Sequence, residues 1–172
     1  YTHNLAAIYL IPLALTPLLQ RDWKTLRAVT LAGFGAIILY TPWLIQLPAQ
    51  LAKVGNNFWV EKPGFERIFT LLLHYVTNLP LPGLWLIPGL LFCTLIITLA
   101  FYQTYIALKK KLPNANLGLW FLYLSFAPPL LLWLLSFIQP IYIERALLPS
   151  HAMFCIWLAW AFTQTKIPNP IK

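Results

Sequence analysis

Charge is what this sequence has least of. Asp, Glu, Lys and Arg make up only 9% of its residues, against 60% apolar residues and a mean hydropathy of +0.71. That balance excludes an ordinary soluble globular domain. Cysteine is scarce too, and both copies, Cys93 and Cys155, fall inside apolar runs at no metal-ligand spacing, so they read as small hydrophobes. The sequence holds no nucleotide-binding glycine loop, metal-ligand cluster or nucleophile elbow, and no internal repeat or low-complexity tract. The first apolar run lacks a basic n-region and a small-residue cleavage site, so it is not a signal peptide. Since the chain opens on Tyr1 and not Met, we expect the C-terminal part of a longer membrane protein, with residues 1–172 forming a single transmembrane domain.

What the sequence has is apolar runs of membrane length. A hydrocarbon core of ~30 Å takes ~20 mainly apolar residues per helix. Runs at 4–20, 28–46, 83–108, 117–138 and 146–164 meet or approach that length. Lipid cannot satisfy an open sheet edge, so all of them should be helices. The expected fold is therefore all-α: a polytopic transmembrane bundle of about five spans. Pro12, Pro17, Pro42, Pro88, Pro128 and Pro129 interrupt these runs, which requires neighbouring helices to satisfy the carbonyls the prolines free.

The net charge of +8 does not point to nucleic acid, because the basic residues stand singly or in one triplet between apolar runs. They report topology instead. With five spans, Arg21, Lys24 and Arg27, then Lys109, Lys110 and Lys111, then Lys166 and Lys172 share one face, which the positive-inside rule makes cytoplasmic. The opposite face receives the N-terminus, the loop 47–66 and the segment 139–145. The stretch 67–79 is too short to cross; its polar positions Arg67, Thr70, His74, Thr77 and Asn78 fall mostly opposite Ile68, Leu71, Leu72, Tyr75 and Leu79. That pattern predicts a helix lying in the outer interface.

Three of the four carboxylates, Glu61, Glu66 and Glu144, fall on the outer face with Arg145, His3 and Trp59, while the spans hold almost no charge. Ion-coupled transport would place ionisable groups near the midplane, so chemistry belongs at the outer interface. Arg145 opens the last span, where exposed N–H groups already carry partial positive charge and, with the guanidinium, invite a lipid phosphate. The same arginine reads equally as a partner of Glu144 or as a side chain snorkelling to ordinary headgroups. His3 suits a substrate hydroxyl or a plain interfacial anchor; Trp59 suits a sugar face or the aromatic belt. Glu61 and Glu66 suit acid or base work or a solvated loop. His74 and His151 read as an interfacial position and a helix contact.

Four segments, Tyr1-Thr2-His3-Asn4, Thr41-Pro42-Trp43, Asn57-Phe58-Trp59-Val60 and Glu144-Arg145-Ala146-Leu147-Leu148-Pro149, taken in order, resemble the C-type superfamily of membrane glycosyltransferases. The resemblance is to its dolichyl-phosphate-mannose protein mannosyltransferase-like family in bacteria, with Ala146 standing where an aromatic residue is expected. It implies transfer of a sugar from a polyprenyl-phosphate donor to a glycan, lipid or protein acceptor on the non-cytoplasmic face of a bacterial plasma membrane. It further implies that Arg145 contacts the donor phosphate, that Tyr1 and His3 line the site, and that the catalytic carboxylate lies upstream, so these residues alone would not catalyse transfer; Trp59 and Glu144, from their place on the outer face, are expected to line the substrate with them. A lipid-linked saccharide flippase or transporter and a non-catalytic membrane scaffold are the competing readings.

The topology yields a test. Single cysteines at positions 110 and 64, in a background without Cys93 and Cys155, should differ in intact cells: an impermeant thiol reagent labels position 64 and spares 110. The reverse pattern would invert the molecule and remove the outer site.

Overall fold

The computed structural model describes residues 2–46, 48–49, 63–77, 82–138 and 140–163, excepting the side chains of 2–7, 144 and 145. Its elements are α1 (Thr2–Ala14), α2 (Thr16–Leu19), α3 (Trp23–Leu44), α4 (Glu66–Val76), α5 (Gly83–Lys109), α6 (Ala115–Ile138), a 3-10 turn (Glu144–Leu147) and α7 (Leu148–Thr163). No strand occurs among the described residues. Three helices, α3, α5 and α6, are long and apolar enough to cross a membrane. The first and last expected spans are modified: α1 stops at Ala14 and restarts as α2, and α7 is shortened by the 3-10 turn before it. The cause of the first break is Pro17, which has no N–H to return to Leu13. At the break the Pro12 carbonyl accepts from the Tyr123 hydroxyl (3.0 Å) and from Thr16 Oγ1 (3.5 Å). The segment expected to lie in the interface, 67–79, holds a helix at Glu66–Val76 with Leu71, Leu73 and Tyr75 buried; residues 78 and 79 lie outside the described residues.

Two turns of the same construction end α2 and α5. In each, a basic residue takes a positive φ just past the helix: Arg21 (56°) and Lys111 (49°). Asp22 N–H donates to Pro17 O (2.9 Å) and Arg21 N–H to Leu18 O (3.2 Å); Leu112 N–H donates to Ala107 O (3.0 Å) and Lys111 N–H to Leu108 O (3.1 Å). This is the Schellman pattern, in which glycine is the favoured residue. The basic side chains accept the strain of the left-handed region and gain the helix C-terminal dipole. Asp22 then caps α3, its carboxylate accepting from Thr25 N–H (3.0 Å) and Thr25 Oγ1 (2.6 Å). The Thr25 hydroxyl and N–H hold that carboxyl below its ordinary range.

Both turns lie at one end of the bundle. Trp120, near the start of α6, donates through Nε1 to Thr16 Oγ1 (3.1 Å), bringing the α2–α3 turn level with the α5–α6 turn. The end of α7 reaches the same level, with the Trp160 ring lying against Gly118. The basic residues flanking α2, α3 and α5 therefore gather at one end. Lys166 and Lys172 lie outside the described residues.

The core is the seam between α6 and α7. Phe154 and Trp157 of α7 and Leu124 and Leu132 of α6 are fully enclosed. Lipid is as apolar as leucine, so burial alone does not drive helices together in a membrane; close packing at small residues does. Gly118, Ser125 and Ser136 supply that closeness on α6, and the serine hydroxyls turn back to Phe121 O (2.6 Å) and Leu132 O (2.7 Å). Trp157 Nε1 reaches across to Thr104 Oγ1 of α5 (3.0 Å). By contrast α3 buries none of its residues, and its neighbours are α1 and α2. Cys93 is enclosed as expected, whereas Cys155 faces outward.

A Cβ at Gly118 would fall inside the Trp160 ring, whereas one at Gly33 on α3 would meet nothing within 4 Å. Gly118→Ala should therefore cost about 1–3 kcal/mol through overpacking. Gly33→Ala should be neutral or gain about 0.5–1 kcal/mol of helix propensity. Unfolding in mixed micelles, followed by tryptophan fluorescence, compares the two.

Candidate functional site

At the end opposite the basic turns, α4 packs on α5, α6 and α7 and is held at several points. Trp133 of α6 donates through Nε1 to Gly64 O (3.1 Å), just ahead of α4, and its ring packs on Phe65 at 5.3 Å. Glu66 closes the same end by accepting from Gly64 N–H (3.0 Å), so this carboxylate serves as a local cap. At the other end of α4 the Tyr75 carbonyl, one of the last without an intrahelical partner, lies 3.1 Å from His151 Nε2. That contact requires Nε2 to carry the proton. The His151 ring stacks on Tyr75 at 5.1 Å, only 6° from parallel, so the expectation of a helix contact there is met.

Tyr75 links this helix to α6 at its proline pair. Pro129 has no N–H, which leaves Ser125 O without its intrahelical donor, and the Tyr75 hydroxyl donates to it at 3.4 Å. Burial pushes the Tyr75 phenol well above its ordinary range, and it stays a neutral donor. Ser150 Oγ is enclosed nearby without a hydrogen bond of good geometry, though it lies close enough to oppose weakly the effect of burial on Tyr75.

Between α4, α5 and α6 runs an apolar cavity of about 230 Å³, lined by Ile68, Leu72, Ile97, Phe101, Trp133 and Tyr142 among others. Phe101 and Leu130 on its rim are 45% exposed, so the cavity opens sideways toward where lipid would be. Its floor has no acid or base. Tyr142 is buried and forms the wall nearest in sequence to the 3-10 turn that carries Glu144 and Arg145. Ile143 is extended (φ −126°, ψ 120°), and Ala146 N–H returns to Ile143 O at 3.0 Å, so the chain tightens immediately after leaving the cavity. α1, whose first turn carries His3, packs against this turn.

Of the residues singled out from sequence, Tyr1 and Trp59 lie outside the described residues, as do Glu61 and the loop 51–62. His3, Glu144 and Arg145 are placed by their backbones alone. The elements bearing these three meet at one end; their side chains are outside the description. One expectation changes: Arg145 sits inside a 3-10 turn, three residues ahead of the α-helix that begins at Leu148, and not in that helix's first turn. Among the described residues no three His, Cys, Asp or Glu side chains group to hold a metal ion. Sequence reasoning missed Trp133 and Tyr75 as the residues that hold α4. The Pro128-Pro129 pair announces that buried carbonyls need donors, but nothing in the one-dimensional pattern says which helix supplies them.

No family model, curated protein or solved structure matches the chain.

Trp133→Phe and Tyr75→Phe each remove one donor and keep the ring. Each should weaken the docking of α4 by about 1 kcal/mol and speed exchange of its amide hydrogens roughly fivefold. Amides around residues 106–112 at the far end should keep their rates. Unchanged α4 exchange in both variants would mean that its apolar face alone holds it.

Proposed function

We propose that this chain serves a membrane glycosyltransferase that takes a sugar from a polyprenyl-phosphate donor and transfers it at the face away from the basic turns. The observation that carries the reading is the apolar cavity whose wall ends at Tyr142, three residues before Arg145. A lipid-linked donor has the matching chemistry: a long apolar chain followed at once by a phosphate. The order of the four sequence segments that resemble the protein mannosyltransferase-like family supports it independently.

On this reading five segments cross the bilayer. Besides α3, α5 and α6, the broken α1–α2 pair covers ~27 Å at 1.5 Å per residue, and the 3-10 turn with α7 covers ~32 Å, against a hydrocarbon core of ~30 Å. Both run from the cavity end to the level of Gly118 and Trp120, as a spanning helix must. The positive-inside rule then makes the basic end cytoplasmic and the cavity end external.

The guanidinium of Arg145 binds the donor phosphate and stabilises it further as negative charge develops when the bond to the anomeric carbon breaks. Its planar fork suits two phosphate oxygens at once. Tyr1, His3, Trp59 and Glu144 line the sugar and acceptor side, while the general base is a carboxylate of the full protein outside these residues. A glycan, lipid or protein hydroxyl is the acceptor class.

Arg145→Lys keeps the charge and loses the fork; in the full protein it should lower turnover efficiency at normal insertion levels. Arg145→Ala removes a charge-assisted contact of about 1.5–3 kcal/mol and should lower it roughly tenfold to a hundredfold. Transfer from a polyprenyl-phosphate sugar in membrane vesicles measures both. An arginine that only snorkels predicts a near-normal lysine variant, and a wild-type rate for the alanine variant would take Arg145 out of the site.

A further inference from the structure

The turn between α5 and α6 lies at the basic end, far from the cavity just described. Its backbone is arranged so that the carbonyl dipoles ending α5 are used internally. Ile106 O, Ala107 O and Leu108 O accept from the N–H groups of Lys110 (2.9 Å), Leu112 (3.0 Å) and Lys111 (3.1 Å). Leu112 O accepts from Ala115 N–H (3.1 Å), which opens α6. The oxygens that would repel an anion are thus occupied. What faces outward is three consecutive lysines, the amides of Asn114 and Asn116, and the positive end of α6.

Of these groups Lys111, Asn114 and Asn116 line an open concavity of about 330 Å³, together with Leu108, Leu112 and Ala115, and Lys110 adjoins it in sequence. It has roughly ten times the ~30 Å³ share of one water molecule, enough for a phosphate with its ester substituent. Two residues on its wall are held in the left-handed region without being glycine: Lys111 (φ 49°) and Asn114 (φ 70°). For Lys111 this is the Schellman geometry that ends α5, shared with Arg21 at the end of α2. Among the described residues no carboxylate pairs with Lys109, Lys110 or Lys111; Lys109 Nζ stands 6.0 Å from the Tyr105 ring centroid. The other basic turn differs on this point, because Asp22 follows Arg21 directly and places a carboxylate beside it. Leu108 and Leu112 give the concavity an apolar floor on the side facing the bundle.

We propose that the concavity of the α5–α6 turn binds the phosphate of one anionic phospholipid in the leaflet at the basic end. Lys111 supplies charge from the wall and Lys110 from the next position in the chain, Asn114 and Asn116 supply amide donors, and the leucines meet the glycerol and first methylenes. The proposal is independent of the glycosyltransferase reading. It differs from general attraction of a basic end to an acidic leaflet in being one site of one stoichiometry.

The test uses the full chain reconstituted in phosphatidylcholine bilayers with a minority of phosphatidic acid, then released for native mass spectrometry. The wild type should retain one phosphatidic acid in preference to phosphatidylcholine. Lys110→Gln with Lys111→Gln should reduce retention about tenfold or more, each basic residue contributing several-fold near a membrane surface. Arg21→Gln with Lys24→Gln, the same change of charge at the other turn, should retain the lipid. Asn116→Asp leaves every lysine in place and suits the first turn of α6, so it should fold; by putting a carboxylate in the concavity it should also expel the lipid. Adding millimolar inorganic phosphate distinguishes sources: displacement assigns recognition to the phosphate itself, and retention assigns it to the phosphate as part of a lipid. Equal losses from the two double variants, or full retention in Asn116→Asp, would overturn the proposal.

Discussion

The rest of the molecule is referred to the contact between Gly118 of α6 and the Trp160 ring of α7. In lipid there is no apolar surface to rescue from water, so two helices stay together only as closely as their side chains let them approach. Removing the Cβ at one position admits an indole, and the two axes then come near enough for Phe154 and Trp157 to be enclosed along the same seam. α7, fixed in this way, in turn fixes other elements. Trp157 bonds Thr104 of α5, and His151 meets the end of α4.

The second constraint is the account of backbone polar groups. Every proline within a helix removes a donor, and in lipid no water replaces it. At two places side chains from other elements donate: Tyr75 of α4 serves Ser125 O, which Pro129 leaves without a donor, and Tyr123 of α6 serves Pro12 O at the break between α1 and α2. Each of these bonds joins two parts of the chain that are distant in sequence. These bonds are therefore also places where tertiary structure is specified, and the one at Ser125 helps hold the eleven-residue α4 against α6.

The sequence made the helical class, the three long apolar segments and the amphipathic helix legible, because hydropathy and period depend on neighbouring residues alone. The common end of the basic residues flanking α2, α3 and α5 was legible through the cost of moving lysine and arginine across a membrane. The break at Leu15 follows from Pro17 and was legible as an interruption; the 3-10 turn at Glu144–Leu147 and the donors that hold α4 were not. Those donors meet carbonyls distant in sequence, Tyr75 at Ser125 across 50 positions and Trp133 at Gly64 across 69. The candidate site was legible in kind and not in detail. Arg145 stood out as a charge beside an apolar run, but the cavity needs Ile68, Ile97 and Trp133 brought together from three helices. No pattern within any single one of them encodes it.

The two ends of the bundle show how few charges suffice when they are separated. Trp120 and Trp133 mark the two levels on α6, thirteen residues or ~20 Å apart along the helix. That distance exceeds the ~8–10 Å over which salt screens charge in the water at either surface. On the proposed function, a phosphate arriving at the cavity end would meet the charge of Arg145 and not that of the lysine triplet. The triplet would then fix orientation without competing for the proposed donor. Had Arg145 belonged to a run like Lys109–Lys111, the cavity end would attract any acidic headgroup. On the proposed function, a lone arginine three residues from the cavity wall would favour a ligand that offers chain and phosphate together, so the scarcity of charge in this sequence would be part of how that site discriminates.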